Sequence, residues 1–188
     1  MFRCPVNGGT TSGSSYPRWE LRERKPGGMV EASWNTGTGQ HSMLVESMVT
    51  VLPERKPHLV IGQIHGGSDD LTVWRVEGKN LWITDGNTSH GYLVTDNYIL
   101  GTLIQFGFFV ENGVIRYQFD GSFLPYTQSG KKSGCYYKTG CYPQANPSNG
   151  SGYGEVVLYS VQVCHDGVCH GNPPGVVIVP PQPPTQPP

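Results

Sequence analysis

Apolar residues in this chain recur in short alternating or continuous runs broken by turn residues. That period-two pattern predicts strands, and no stretch shows the 3.6-residue period of an amphipathic helix. The runs are 43–52 (MLVESMVTVL), 58–65 (HLVIGQIH), 71–76 (LTVWRV), 80–84 (NLWIT), 103–110 (LIQFGFFV), 113–119 (GVIRYQF) and 155–163 (EVVLYSVQV), all rich in β-branched and aromatic residues. Glu77-Gly78-Lys79 and Glu111-Asn112-Gly113 join neighbouring runs as hairpins, so the pairing is antiparallel. This many short strands in one domain predict an all-β fold, a sandwich or jelly roll of two antiparallel sheets, because a single open sheet of this size leaves a face uncovered; a barrel is the alternative.

Composition narrows the picture. A length of 188 residues suits one core. Gly 26 and Pro 16, with only 14% charged residues, argue against a helical bundle. Lys+Arg 13 against Asp+Glu 14 leaves a net charge of -1, so no whole-chain field exists to hold a nucleic acid or an anionic membrane. No run approaches the roughly 18 apolar residues that cross a bilayer, and the opening MFRCPVNGG lacks a signal peptide's apolar stretch. Residues 1–170 read as one domain and 171–188, GNPPGVVIVPPQPPTQPP, as an extended Pro-rich linker or tail.

Five cysteines leave at least one thiol unpaired. Cys164 and Cys169 flank an Asp166-Gly167 turn signal and are expected to form a disulfide across a short hairpin. Cys135 and Cys141, about 20 Å apart on an extended strand, are too distant to pair with each other. No second Cys/His cluster completes a four-ligand set, so no metal is expected. Asn87-Thr88-Ser89 and Asn149-Gly150-Ser151 fit the N-glycosylation pattern.

Three segments carry reactive side chains on one strand face. In YPRWELRER, alternation groups Arg18, Glu20, Arg22 and Arg24 opposite Trp19 and Leu21, a basic stripe that suits a solvated edge strand or the carboxylates of an acidic polymer. In HLVIGQIH, Leu59, Ile61, Gln63 and His65 fall on one face, so two core residues give way to an amide and an imidazole. In CYYKTGCYPQ, Tyr136, Lys138, Gly140, Tyr142 and Gln144 share a side, with the glycine letting something approach the backbone.

Arg18-Trp19-Glu20-Leu21-Arg22, Gln63-Ile64-His65 and Tyr137-Lys138-Thr139-Gly140-Cys141-Tyr142-Pro143-Gln144 resemble, in order, the three signature segments of polysaccharide lyase family 7, the alginate lyases. The resemblance extends over roughly residues 2 to 163, the PVNGGTTSGSSYPR approach included. It implies a jelly roll whose concave sheet forms a groove for alginate, cleaved by β-elimination without cofactor. Arg18, Gln63, His65 and Tyr142 correspond to the catalytic positions, and Arg22, Lys138 and Gln144 to positions that hold substrate. Gln-Ile-His is associated with guluronate-containing blocks. Trp19 stands where the family has Ser or Thr, and family domains start with a further strand ahead of the PVNGG-like segment, which puts stability in doubt here.

The residue types make chemical sense. Removing the C5 proton of a uronate requires the neighbouring carboxylate to be neutralised as charge builds, a task for Arg18, Gln63 and His65. Tyr142 could serve as both base and acid at mannuronate, aided by Arg18 or Lys138 because its reference pKa is about 10. At guluronate, where proton and leaving group are on opposed faces, His65 is the base and Tyr142 the acid. Two rivals remain. A binding module on the same sandwich would use Trp34, Trp74, Trp82 and Tyr92, and a hydrolase would need two flanking carboxylates, for which no strand offers an alternating pair. A polymer lyase acts outside the cell, and it is expected to work as a secreted monomer.

Overall fold

Hairpin chemistry dominates the chain. In the computed structural model, which describes residues 1–86 and 89–175, it yields thirteen strands and no helix among the described residues. The strands are β1 (Phe2–Pro5), β2 (Trp19–Arg22), β3 (Gln40–Val51), β4 (His58–Gly66), β5 (Asp69–Glu77), β6 (Asn80–Asp85), β7 (Ser89–Thr95), β8 (Leu103–Glu111), β9 (Val114–Phe119), β10 (Ser122–Ser129), β11 (Cys135–Pro143), β12 (Tyr153–His165) and β13 (Val168–Gly171). Pairing is antiparallel throughout, in a sheet ordered β2-β11-β4-β5-β6-β7 and another ordered β1-β12-β3-β8-β9-β10, with β13 also on β12. A sandwich forms, not a barrel. The turns at Asn112-Gly113, Asp120-Gly121 and Asp166-Gly167 have positive φ at both residues, the geometry that matches the twist of a two-residue hairpin.

Between the sheets, Trp74, Phe106, Phe108, Tyr117 and Tyr137 interlock with Leu59, Ile61, Ile64, Leu81 and Ile83, all fully buried. Each such side chain contributes about 1.5–3 kcal/mol by leaving water. The edge strands β7 and β10 escape the hydrophobic pattern because their apolar residues form only short runs flanked by polar ones, and β10 holds Pro125, which suits an edge.

Strict alternation fails on β4. Leu59 and Ile61 face the core while Gln63 and His65 face the opposite side, so the four do not share a face. The cause is a bulge: Val60 pairs with Arg75 but Gly62 with Trp74, which makes Ile61 an extra residue and flips the phase beyond it. Gly62 fits there because an added Cβ would lie 2.5 Å from the Phe106 ring. The stripe on β2 is also shorter than alternation suggests. The strand ends at Arg22, and Arg24 bridges separately to Glu31. Trp19 and Leu21 on its other face remain 64% and 48% exposed.

The Cys164–Cys169 disulfide forms across the β12–β13 hairpin, and Cys4, Cys135 and Cys141 are buried thiols. Beyond β13 the chain still bonds back, Asn172 N–H to Val161 O at 3.0 Å and Gly175 N–H to the Glu46 carboxylate at 3.0 Å. The rest of the Pro-rich tail, and Asn87-Thr88 of the first glycosylation pattern, lie outside the described residues.

Candidate active site

The outer face of the six-stranded sheet carries a groove whose centre is Tyr142. Its ring packs on Val60 and Val73, with Tyr16 alongside, so β4, β5 and the loop before β2 fix its position. The Arg18 guanidinium lies over the ring, 3.9 Å from its centroid, and its Nη2 donates to the Tyr142 hydroxyl at 2.7 Å. Ser14 Oγ shares a second hydrogen bond with the same hydroxyl at 3.1 Å. The strand that brings Arg18 here can approach only because of Gly140. Its φ is 146°, and a Cβ there would lie 2.6 Å from the Trp19 carbonyl oxygen.

On one side of Tyr142 a cavity of about 570 Å³ is lined by Arg18, Arg22, His65, Tyr136 and Lys138, with Glu20, Asp69 and Asp70. His65 stacks on Tyr136 with ring centroids 4.9 Å apart, and the Arg22 guanidinium lies over the same ring, 4.0 Å from its centroid. Burial, reinforced by the charges of Lys138, Arg18 and Arg22, pushes the His65 imidazole down to about 4. It is therefore neutral at neutral pH, and its Nδ1 has no hydrogen-bond partner. Burial also lowers the Lys138 ammonium, against the pull of Glu20. Gln63 lies fully buried at the floor, its Nε2 donating to Glu20 Oε1 at 2.5 Å.

On the other side a cavity of about 440 Å³ is lined by Lys56, His58, Arg75, Glu77, His90 and Gln144, and shares Tyr142 with the first. Lys56 Nζ donates to the Tyr16 hydroxyl at 3.1 Å and holds that phenol below its usual value. The buried Gln144 carries an Nε2 with no partner.

Comparison with known proteins shows the family. The alginate lyase family model matches residues 1–165. The chain belongs to the polysaccharide lyase family 7 alginate lyases. Similar solved structures include an alginate lyase from Corynebacterium sp., 48% identical with a TM-score of 0.83, covering 87% of this chain and 75% of that one. The family 7 alginate lyase AlgAT5 is 38% identical with a TM-score of 0.84, covering 87% of this chain and 76% of that one. The family 7 lyase A1-II′, solved with the substrate GGMG in a variant altered at one histidine and one tyrosine, is 28% identical with a TM-score of 0.74, covering 90% of this chain and 78% of that one. No curated protein matches the chain. The sandwich is thus the jelly roll of these polysaccharide lyases.

In this lyase the seven residues singled out in the sequence come together around one groove. Arg18, Arg22, His65, Lys138 and Tyr142 line the first cavity, Gln63 lies beneath it, and Gln144 lines the second. Sequence reasoning missed Ser14 and the cluster of Lys56, His58, Arg75, Glu77 and His90, which no motif links. The aromatics a binding module would need are mostly elsewhere. Trp74 is in the core, Tyr92 stacks on Tyr126, and Trp34 donates to Glu23 away from the groove; Trp82 stacks on His90, which lines the second cavity. A third, apolar cavity of about 550 Å³ lies across β2 and β11, lined by Leu21, Trp34, Met43 and Val161. Its polar groups are committed to one another: His165 bonds His41 at 2.7 Å and Glu23 at 2.6 Å.

Proposed function

We propose that this lyase draws alginate across Tyr142, with sugars in both cavities, and that Arg18, Gln63, His65 and Tyr142 carry the elimination. The observation that carries this reading is the Arg18–Tyr142 contact at 2.7 Å, midway along a groove whose two cavities meet at that tyrosine. Arg18 and Gln63 meet the uronate carboxylate and stabilise the charge that builds as the C5–H bond breaks. The electron pair forms the C4=C5 double bond, the C4–O4 bond breaks, and O4 takes a proton from the acid. Arg22, Lys138 and Gln144 hold neighbouring carboxylates.

His65 is neutral and has an imidazole nitrogen to spare, which suits it to accept the C5 proton of guluronate while Tyr142 protonates O4. That division of labour supports a preference for guluronate-containing blocks. At mannuronate Tyr142 serves both roles. The A1-II′ complex with GGMG, obtained with a histidine and a tyrosine replaced, supports the same pair of roles. The enzyme works as a secreted monomer, and the Cys164–Cys169 bridge suits an oxidising compartment. The test is the ultraviolet absorbance of the new double bond on separate poly-guluronate, poly-mannuronate and mixed alginate. Fastest initial rates on poly-guluronate support the reading; equal or faster rates on poly-mannuronate overturn the preference.

A further inference from the structure

A carboxylate inside a groove for a polyanion works against binding, yet Glu20 occupies the floor of this one, with 4% of its side chain exposed. Burial pushes its carboxyl upward, while Lys138, Gln63 and Arg18 draw it back. Its position on β2 sets it beside two other strands. Glu20 pairs with Gly140 on β11, two residues from Lys138, and Lys138 pairs with Gln63 on β4. One oxygen accepts from Gln63 Nε2 at 2.5 Å, and the other lies 3.9 Å from both Arg18 Nη1 and Lys138 Nζ.

The atom of the Gln63 amide that faces Glu20 is the nitrogen, donating to an oxygen that accepts. Gln63 Oε1 is buried and has no partner, which leaves Glu20 as the one described side chain that decides which way the amide points. Turned over, the amide would present its carbonyl oxygen where the substrate carboxylate needs a donor.

We infer that Glu20 is a positioning residue: it fixes the polarity of the Gln63 amide and gathers Arg18 and Lys138, so that the donors meet the uronate carboxylate in a single arrangement. The inference rests on the proposed role of Gln63 and Arg18 in elimination. It makes an unusual demand, because removing a negative charge from an anion-binding groove should slow the enzyme without weakening its hold on alginate.

The test measures kcat and KM on alginate for wild type, Glu20→Gln, Gln63→Ala and the double variant, with thermal unfolding alongside. The expected result for Glu20→Gln is a fall in kcat of at least about tenfold with KM unchanged or lower. In the Gln63→Ala background the same substitution should lower kcat clearly less than it does in wild type, because the part of its effect that runs through the Gln63 amide is gone and only the placing of Arg18 and Lys138 remains. Wild-type kcat in Glu20→Gln, a loss wholly in KM, or the full kcat loss persisting in the Gln63→Ala background would each overturn the inference. If Glu20→Gln does not fold, Glu20→Asp, which keeps the charge but falls a methylene short of Gln63, replaces it with the same expectations. Wild type that forms no double bond on any alginate overturns the proposed function instead, and this inference with it.

Discussion

The groove's two halves meet at Tyr142 and are built from different chemistry. On the Arg18 side, Arg18 and Lys138 lie 3.9 Å from the buried Glu20 carboxylate, Arg22 lines the same cavity, and the imidazole of His65 is held neutral. On the Lys56 side, one carboxylate, Glu77, is shared by Arg75 at 2.5 Å, His90 at 3.0 Å and His58 at 3.5 Å. The first half's charge sits on two guanidiniums and an ammonium; the second half includes two imidazoles, of which burial lowers that of His58. In the proposed reading, the first half meets the charge that develops in the transition state and the second half only holds the polymer.

The comparison breaks most completely at the point the halves share. Tyr142→Phe should lower the elimination rate about 10³-fold. Alginate binding should survive, since the ring still packs on Val60 and Val73. Absorbance of the product and retardation in alginate-containing gels read the two separately. Arg18→Lys keeps the charge but loses the planar fork that both donates to Tyr142 and covers its ring. A fall in kcat of about 10²-fold is expected, with a smaller change in KM.

That asymmetry explains what was legible in the sequence. The Arg18 half is written on three contiguous segments, so Arg18, Arg22, Gln63, His65, Lys138 and Tyr142 can be picked out from the order of residues along the chain. The Lys56 half is spread over the approach to β4, β4 itself, β5 and β7, and β7 reads as polar, so His90 had no strand to sit on. The fold class followed from alternation and hairpin turns, but alternation assumes an unbroken phase. The bulge at Ile61 breaks it, which is why Leu59 and Ile61 could not be separated from Gln63 and His65 by counting. The Ser14–Tyr142 bond joins residues 128 apart through a loop, and no local pattern encodes it.

The next effect comes from acid. His65 titrates at about 4 in the folded protein, against about 6.5 in an unfolded chain. On poly-guluronate, where we propose that it serves as base, activity should fall about tenfold per pH unit below 4, and the poly-mannuronate profile should lack this limb. The same shift has a stability consequence of defined sign. Between pH 6.5 and 4 the unfolded chain gains a proton that folded His65 does not, so stability falls as pH drops through that window and this contribution levels off below 4. His65→Gln should lose less stability than wild type over that interval, as read by urea midpoints. Equal losses would remove His65 from the account.

The smallest expected effects are in the Lys56 half, and they test whether it is a holding site at all. Lys56→Met removes a partly exposed cation, and loss of one such contact to a uronate carboxylate should raise KM about threefold with kcat unchanged. His58 is finer still. Burial, with Arg75, Lys56 and His90 adding to it, lowers the imidazole's pKa, although Glu77 opposes the shift. It is therefore uncharged at neutral pH and gains charge only on acidification. Alginate stays anionic down to about pH 4, so KM should decrease as pH falls from neutral toward about 5, by about twofold, and His58→Gln should flatten that trend without altering kcat. A KM that rises on acidification in wild type, or a trend unaffected by the substitution, would mean that the polymer is held by the Arg18 half alone.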